Sequence, residues 1–263
     1  MQVVIPMTGL GSRFVKAGYP DLKPLIKVHG KPIIEYVVDL FPGETDFIFV
    51  VREDVLESNP EMRSTLERIA PKSQIVGIEG HKLGPVYAVS KVFDLLKDDE
   101  PVITNYCDFF MNWDYADFKK TVEETKCAGA IPCYTGFHPH LIPEQNLYAC
   151  CKTDNEGYLE EIREKFTFTE DKTLSKHSAG TYYFSKGSYV KKYFQQLMDE
   201  KIELNGEYYI SLVYNLLTQD GLKTLVYDKV PHFCQWGTPE DFEEYIYWSE
   251  IFEQDPNVQK AVA

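Results

Sequence analysis

Between Gln2 and Asp108, short apolar runs alternate with amphipathic stretches, and this rhythm constrains the fold more than any other feature of the sequence. Gln2 to Ile5, Phe47 to Val51, Gln74 to Ile78 and Val102-Ile103-Thr104-Asn105 have the length and composition of buried strands. Ile33 to Leu40, Leu56 to Ile69 and Val86 to Leu96 carry helical periodicity. A β-α-β-α-β order predicts a parallel sheet with crossover helices, an α/β, Rossmann-like architecture. Ligands of such sheets sit at the carboxyl ends of the strands. The segment after Ile5 and the carboxylate after Thr104 both fall at ends of this kind.

From about Ala128 the texture changes to aromatic and β-branched segments, Ala130 to Tyr134, Tyr148 to Lys152 and Gly180 to Ser185, with turn residues Asp154-Asn155-Glu156-Gly157 between them. This half reads as a mixed sheet built onto the first. Helices are expected again over Tyr189 to Lys201, Tyr208 to Gln219 and Pro239 to Phe252, the last with Thr238 as N-cap and Pro239 at its first position. No repeat, low-complexity run or flexible linker divides the chain. One domain over 1–263 is therefore expected, with halves 1–110 and 111–238 sharing a core and a C-terminal segment 239–263.

Its 263 residues, 44% of them hydrophobic, suffice to bury that core. The formal net charge of -14 speaks against nucleic-acid backbones and anionic membrane surfaces as partners, which would be repelled at long range. No apolar run approaches the roughly 20 residues of a membrane helix, and Val3-Val4-Ile5-Pro6 does not read as a secretory leader. The cytoplasm is the expected location, and the six cysteines, without a CxxC spacing, are expected as reduced thiols.

After the first strand comes Pro6-Met7-Thr8-Gly9-Leu10-Gly11-Ser12-Arg13-Phe14. Two glycines allow a tight turn whose N–H groups converge on an anion, although a plain strand-to-helix turn uses the same residues. Arg13 adds a planar, permanently charged fork, and Lys23 a second cation near the same strand end. A Walker loop is excluded because no Gly-Lys-Ser/Thr follows, and a dinucleotide fingerprint because Phe14 stands where its third glycine belongs. Asp108 ends an apolar strand with a hard oxygen ligand suited to Mg²⁺, or else caps the next turn.

Gly9-Leu10-Gly11-Ser12-Arg13, Lys23-Pro24-Leu25 and Gly30-Lys31-Pro32-Ile33 together resemble the signature of the sugar-phosphate nucleotidyltransferase family. The resemblance implies that Thr8, Gly9, Leu10, Gly11 and Ser12 wrap a nucleoside triphosphate, that Arg13 steadies the leaving pyrophosphate, and that Lys23 contacts phosphates at the reaction centre. It assigns Mg²⁺ to Asp108. Glu79-Gly80-His81-Lys82-Leu83-Gly84-Pro85 looks like the family's base loop, in which Gly84 lets the base approach the backbone. A carboxylate at Glu79 could accept from the cytosine amino group, which tilts the nucleotide toward CTP, while a solvated surface charge is the plain alternative.

The acceptor half follows the same resemblance. Glu164-Lys165 matches a pair that faces the phosphorylated small-molecule acceptor, with Lys165 on its phosphate. Ser178-Ala179-Gly180 and Glu207-Tyr208 match segments lining that pocket, or pack as ordinary strand and helix starts. Gln235-Trp236-Gly237-Thr238-Pro239-Glu240-Asp241 parallels a stretch whose first aspartate often binds a second metal ion. Here that position is Gln235, an amide that can coordinate Mg²⁺ but brings no charge. The segment is similar to a branch containing capsule and phosphocholine-type cytidylyltransferases, which implies capsule or surface polysaccharide biosynthesis and a phosphoglutamine-type acceptor. Sugar 1-phosphate uridylyl or thymidylyl transfer and a non-catalytic nucleotide-binding role stay open beside it. The aromatic tail Phe242 to Trp248 could bury its apolar face against the core or in a homo-oligomer.

Overall fold

The structure, a computed structural model, describes residues 1–254. The chain opens with β1 (Gln2–Met7), α1 (Ser12–Lys16), the short hairpin β2 (Lys27–Val28) and β3 (Lys31–Pro32), and α2 (Ile33–Asp39). It continues through β4 (Asp46–Arg52), α3 (Glu53–Ser58), α4 (Pro60–Ile69), β5 (Gln74–Ile78), α5 (Pro85–Ser90), β6 (Val102–Asn105), β7 (Phe109–Asn112) and α6 (Tyr115–Thr125). The second half contains β8 (Gly129–Tyr134), β9 (Cys150–Thr153), β10 (Leu159–Arg163), β11 (Lys176–Ser178), β12 (Thr181–Phe184), α7 (Gly187–Asp199), α8 (Ile210–Gln219), β13 (Thr224–Tyr227), β14 (His232–Gln235) and α9 (Pro239–Gln254).

Ten strands form one sheet in the order β10-β9-β11-β8-β12-β6-β1-β4-β5, with β13 beside β8. β6, β1, β4 and β5 are parallel, and the near-continuous apolar sequence of β1, β4 and β6 follows from burial on both faces, while β5 at the edge is partly exposed. β12 joins the two halves by running antiparallel to both β6 and β8. This is the expected α/β arrangement, a parallel sheet flanked by helices and extended by a mixed one. Val3 and Ile5 of β1 face one apolar cluster with residues of α2, α4 and α6, while Val4 faces a second with residues of α5, α7 and α8. Each cluster draws residues from both sides of position 110.

Local chemistry sets several boundaries that periodicity alone misplaces. The expected helix Leu56 to Ile69 is two helices, because Pro60 has no N–H and takes the first position of α4, where Asn59 accepts a cap bond from Met62 N–H at 3.2 Å. The expected helix Val86 to Leu96 ends at Ser90 and is followed by a 3₁₀ turn, Phe93–Leu95. Thr238 caps α9 as anticipated, its hydroxyl accepting from Asp241 N–H at 3.1 Å. The helix α6 and the ribbon of β7 with β14 carried no sequence expectation, and residues 255–263 of the expected C-terminal segment lie outside the described residues. Among the described residues no helix is long and apolar enough to cross a membrane. All six cysteines are free thiols.

Candidate active site

At the carboxyl ends of β1 and β6 the protein encloses a cavity of about 470 Å³. Thr8, Gly9, Leu10, Gly11 and Ser12 form one wall, with Arg13 and Lys23 beside them. Gly11 turns the chain from β1 into α1 with φ 58°, a left-handed conformation that glycine adopts without steric cost. A Cβ at Gly11 would lie 3.5 Å from Lys23 Cβ, so the glycine loop and the lysine turn are in contact. Arg13 is exposed at the rim.

Lys23 sits in a 3₁₀ turn, Lys23–Leu25, held by Pro24. Its Nζ donates to Asp108 Oδ2 at 2.6 Å and to the Gly237 carbonyl at 2.9 Å. Asp108 follows β6, and the antiparallel pairing of β7 with β14 sets Gln235 opposite Phe109, one residue beyond it. Trp236 N–H donates to the Asp108 carbonyl at 3.2 Å, and a Cβ at Gly237 would fall 2.5 Å from Gln235 Nε2 and 3.6 Å from Asp108 Oδ2. The ribbon thus brings Gln235 to Asp108 across 127 residues of sequence, two positions in separate motifs that only the family resemblance links, through a metal ion. Among the described residues no three His, Cys, Asp or Glu side chains converge as a preformed metal site. A carboxylate, an amide and a carbonyl nevertheless suit Mg²⁺, which takes one or two protein ligands and completes its shell with phosphate oxygens and water.

The loop after β5 forms the facing wall through His81, Lys82, Gly84 and Pro85. Gly84 has φ 83°, and a Cβ there would stand 2.8 Å from both the N and the O of Tyr208. That close approach lets Tyr208 N–H donate to the Leu83 carbonyl at 2.9 Å and Val86 N–H to the Tyr208 carbonyl at 3.2 Å. Glu207 is thereby held against Gly84 and lines the cavity. Glu79 is exposed and is not part of the cavity wall. His81 accepts at Nδ1 from Leu83 N–H at 3.2 Å and packs edge-on to Tyr87. Burial, with smaller contributions from Lys91 and Arg52, holds its pKa below the usual imidazole range.

Glu164, Lys165 and Gly180 do not line the cavity; Tyr106, on which Gly180 packs, and Tyr209, next to Lys165, do. Gly180, with φ 82°, packs on the Tyr106 and Phe109 rings and accepts at its carbonyl from Tyr106 N–H at 3.0 Å. Glu164 accepts a hydrogen bond from Ser211 of α8. Burial pushes the Glu164 carboxyl up to about 7, against the opposing influence of Ser211 and Lys165. Lys165 adopts φ 53°, and its Nζ lies 5.8 Å from the Tyr209 ring centre. Tyr106, Tyr209, His81, Lys82 and Gly237 were not singled out from sequence. All five lie inside the motifs that sequence reading marked, Tyr106 beside Asp108 and Tyr209 beside Glu207-Tyr208.

No protein-family model matches the sequence, and no curated protein matches it. Solved structures do. A nucleoside-diphosphate-sugar pyrophosphorylase from Vibrio cholerae RC9 is 20% identical at a TM-score of 0.76, the match covering 93% of this chain and 99% of that one. A protein from Bacillus anthracis described as a glucose-1-phosphate thymidylyltransferase, in complex with sucrose, is 16% identical at 0.71 over 94% of each chain. HddC from Yersinia pseudotuberculosis is 19% identical at 0.61, covering 94% of this chain and 98% of its own. The likeness is one of architecture, and over more than nine-tenths of its length the chain has the Rossmann-like α/β fold of these proteins.

Proposed function

We propose that this protein is a nucleotidyltransferase that moves a nucleoside monophosphate from a nucleoside triphosphate to a phosphorylated small molecule and releases pyrophosphate. The observation that carries the proposal is the meeting of the glycine loop, Arg13, Lys23 and Asp108 in one cavity. An anion turn, two cations and a carboxylate suit a bound triphosphate and its metal ion better than a hydride-transfer cofactor. In the reaction an acceptor phosphate oxygen bonds to the α-phosphorus as the bond to the bridging α–β oxygen breaks. The acceptor oxygen is already ionised, so this chain needs no general base; it positions the reactants and neutralises charge. Thr8 to Ser12 hold the triphosphate, Arg13 the departing pyrophosphate and Lys23 the transferred phosphoryl group. Lys165, beside Tyr209, would attract the acceptor phosphate. Asp108 with Gln235 would hold Mg²⁺, which supplies electrophilic stabilisation when bound.

CTP is the nucleotide we favour, with a phosphoglutamine-type acceptor in capsule or surface polysaccharide biosynthesis and a cytoplasmic location, where nucleoside triphosphates are made. With Glu79 exposed, the carboxylate beside Gly84 that can accept from a base amino group is Glu207. Sugar 1-phosphate uridylyl or thymidylyl transfer is the second reading, favoured by the likeness to the Vibrio nucleoside-diphosphate-sugar pyrophosphorylase and the Bacillus thymidylyltransferase. Pyrophosphate release with Mg²⁺ across the four common nucleoside triphosphates, each paired with sugar phosphates, phosphocholine and phosphorylated amino acids, separates the two. Release confined to CTP supports cytidylyl transfer. Release confined to UTP or dTTP with a sugar 1-phosphate replaces it with the second reading.

A further inference from the structure

The Lys23 ammonium is held by two oxygens, the Asp108 carboxylate at 2.6 Å and the Gly237 carbonyl at 2.9 Å. Both are hard donors directed at one point, and Gln235 stands beside it with its Nε2 toward Gly237. A carboxylate and a carbonyl are oxygen types that Mg²⁺ and Mn²⁺ select. The pocket is therefore built for a cation and already contains one. The Lys23 and Asp108 charges also cancel there, and Gln235 adds none. A divalent ion arriving alone would meet a neutral site and an ammonium within bonding range, and two cations sharing those oxygens repel strongly.

We propose that the Asp108 carboxylate and the Gly237 carbonyl, bordered by the neutral Gln235, form a divalent-cation site which Lys23 fills in the nucleotide-free protein, so that metal enters together with the triphosphate. A triphosphate changes the balance in two ways. Its oxygens offer Lys23 another anion, and they bring the divalent ion most of its remaining ligands. Lys23 then passes from Asp108 to the phosphates as the metal ion takes its place. The neutral Gln235 fits this order, because a second carboxylate would draw metal into the empty site. The account of nucleotide-coupled entry rests on the triphosphate reading of the cavity; the placeholder role of Lys23 does not.

The test is titration of the full, nucleotide-free chain with Mn²⁺, following free Mn²⁺ by electron paramagnetic resonance. Wild type is expected to bind weakly at this site, and Lys23→Met to bind roughly ten-fold more tightly or better. Adding Asp108→Asn to Lys23→Met should abolish the gain, and Lys23→Gln should behave as Lys23→Met does. Folded lysine variants that bind Mn²⁺ no more tightly than wild type would overturn the proposal, as would a gain that survives Asp108→Asn. Wild type that binds Mn²⁺ tightly without nucleotide, and loses it on Asp108→Asn, overturns it with no lysine variant needed. Absence of turnover with every nucleoside triphosphate would remove the functional reading and leave the Mn²⁺ result standing.

Discussion

Lys23 and Glu164 illustrate opposite uses of a charged side chain. Lys23 contacts oxygens at the cavity, so its removal should take charge stabilisation from the reacting phosphates while sparing the core. Lys23→Ala is expected to lower turnover by about 10²- to 10³-fold, with a thermal unfolding midpoint near that of wild type; turnover equal to wild type in a folded variant would remove the role. Glu164 accepts a hydrogen bond from Ser211, and burial lifts its folded pKa to about 7, above the ordinary carboxyl value of 4.5. The proton it retains on folding contributes stability that is complete below about pH 4.5 and disappears as pH rises through about 7. Glu164→Gln keeps a partner for Ser211 without the ionisation. It should therefore gain on wild type between pH 5 and pH 8 in denaturant unfolding, whereas a constant difference across that range would contradict the assignment.

Local backbone demands were readable before the fold was known, and long-range pairings were not. Gly11 and Gly84 mark turns in sequence, and both have positive φ on the cavity wall. What Gly84 admits is the Tyr208 backbone, 124 residues away, a partner that no spacing announces. The same limit hid the β7–β14 ribbon that carries Gln235 to Asp108, because its two short strands owe their pairing to each other rather than to any periodic pattern. It also separates Glu79, placed outside the cavity despite lying in the quoted loop, from Glu207, brought in by its contact with Gly84. Gly84→Ala should force the loop and Tyr208 apart. A loss of about 1–3 kcal/mol in unfolding free energy is expected for a side chain in that conformation, together with weaker triphosphate binding by calorimetry. Unchanged binding would detach this contact from nucleotide recognition.

Across the whole molecule the alternating β and α pattern specified the parallel half of the sheet, since strands buried on both faces announce themselves by composition. In the mixed half β8, β9 and β12 fall on expected segments, whereas the three-residue β11 gives no periodic signal and sets His177 in a cluster with Tyr134, His138 and His140. Burial lowers all three imidazole pKa values, that of His140 to about 3. Their neutral packing contributes stability that is present above about pH 6.5 and is lost as pH falls toward the folded values. Acidification should therefore lower the unfolding midpoint in this range, and His140→Gln should flatten the decline; an identical slope in the variant would place the acid sensitivity elsewhere. The central claim concerns the cavity between the halves, where the triphosphate loop of one faces the acceptor segments of the other. Its most direct test is acceptor-dependent pyrophosphate release from Mg²⁺ and CTP, compared with UTP and dTTP. Stoichiometric release and a nucleotide-linked acceptor product are predicted, both lost in Lys23→Ala; triphosphate binding without release for any nucleotide and acceptor pair would contradict the account and leave a nucleotide-binding protein without transferase activity.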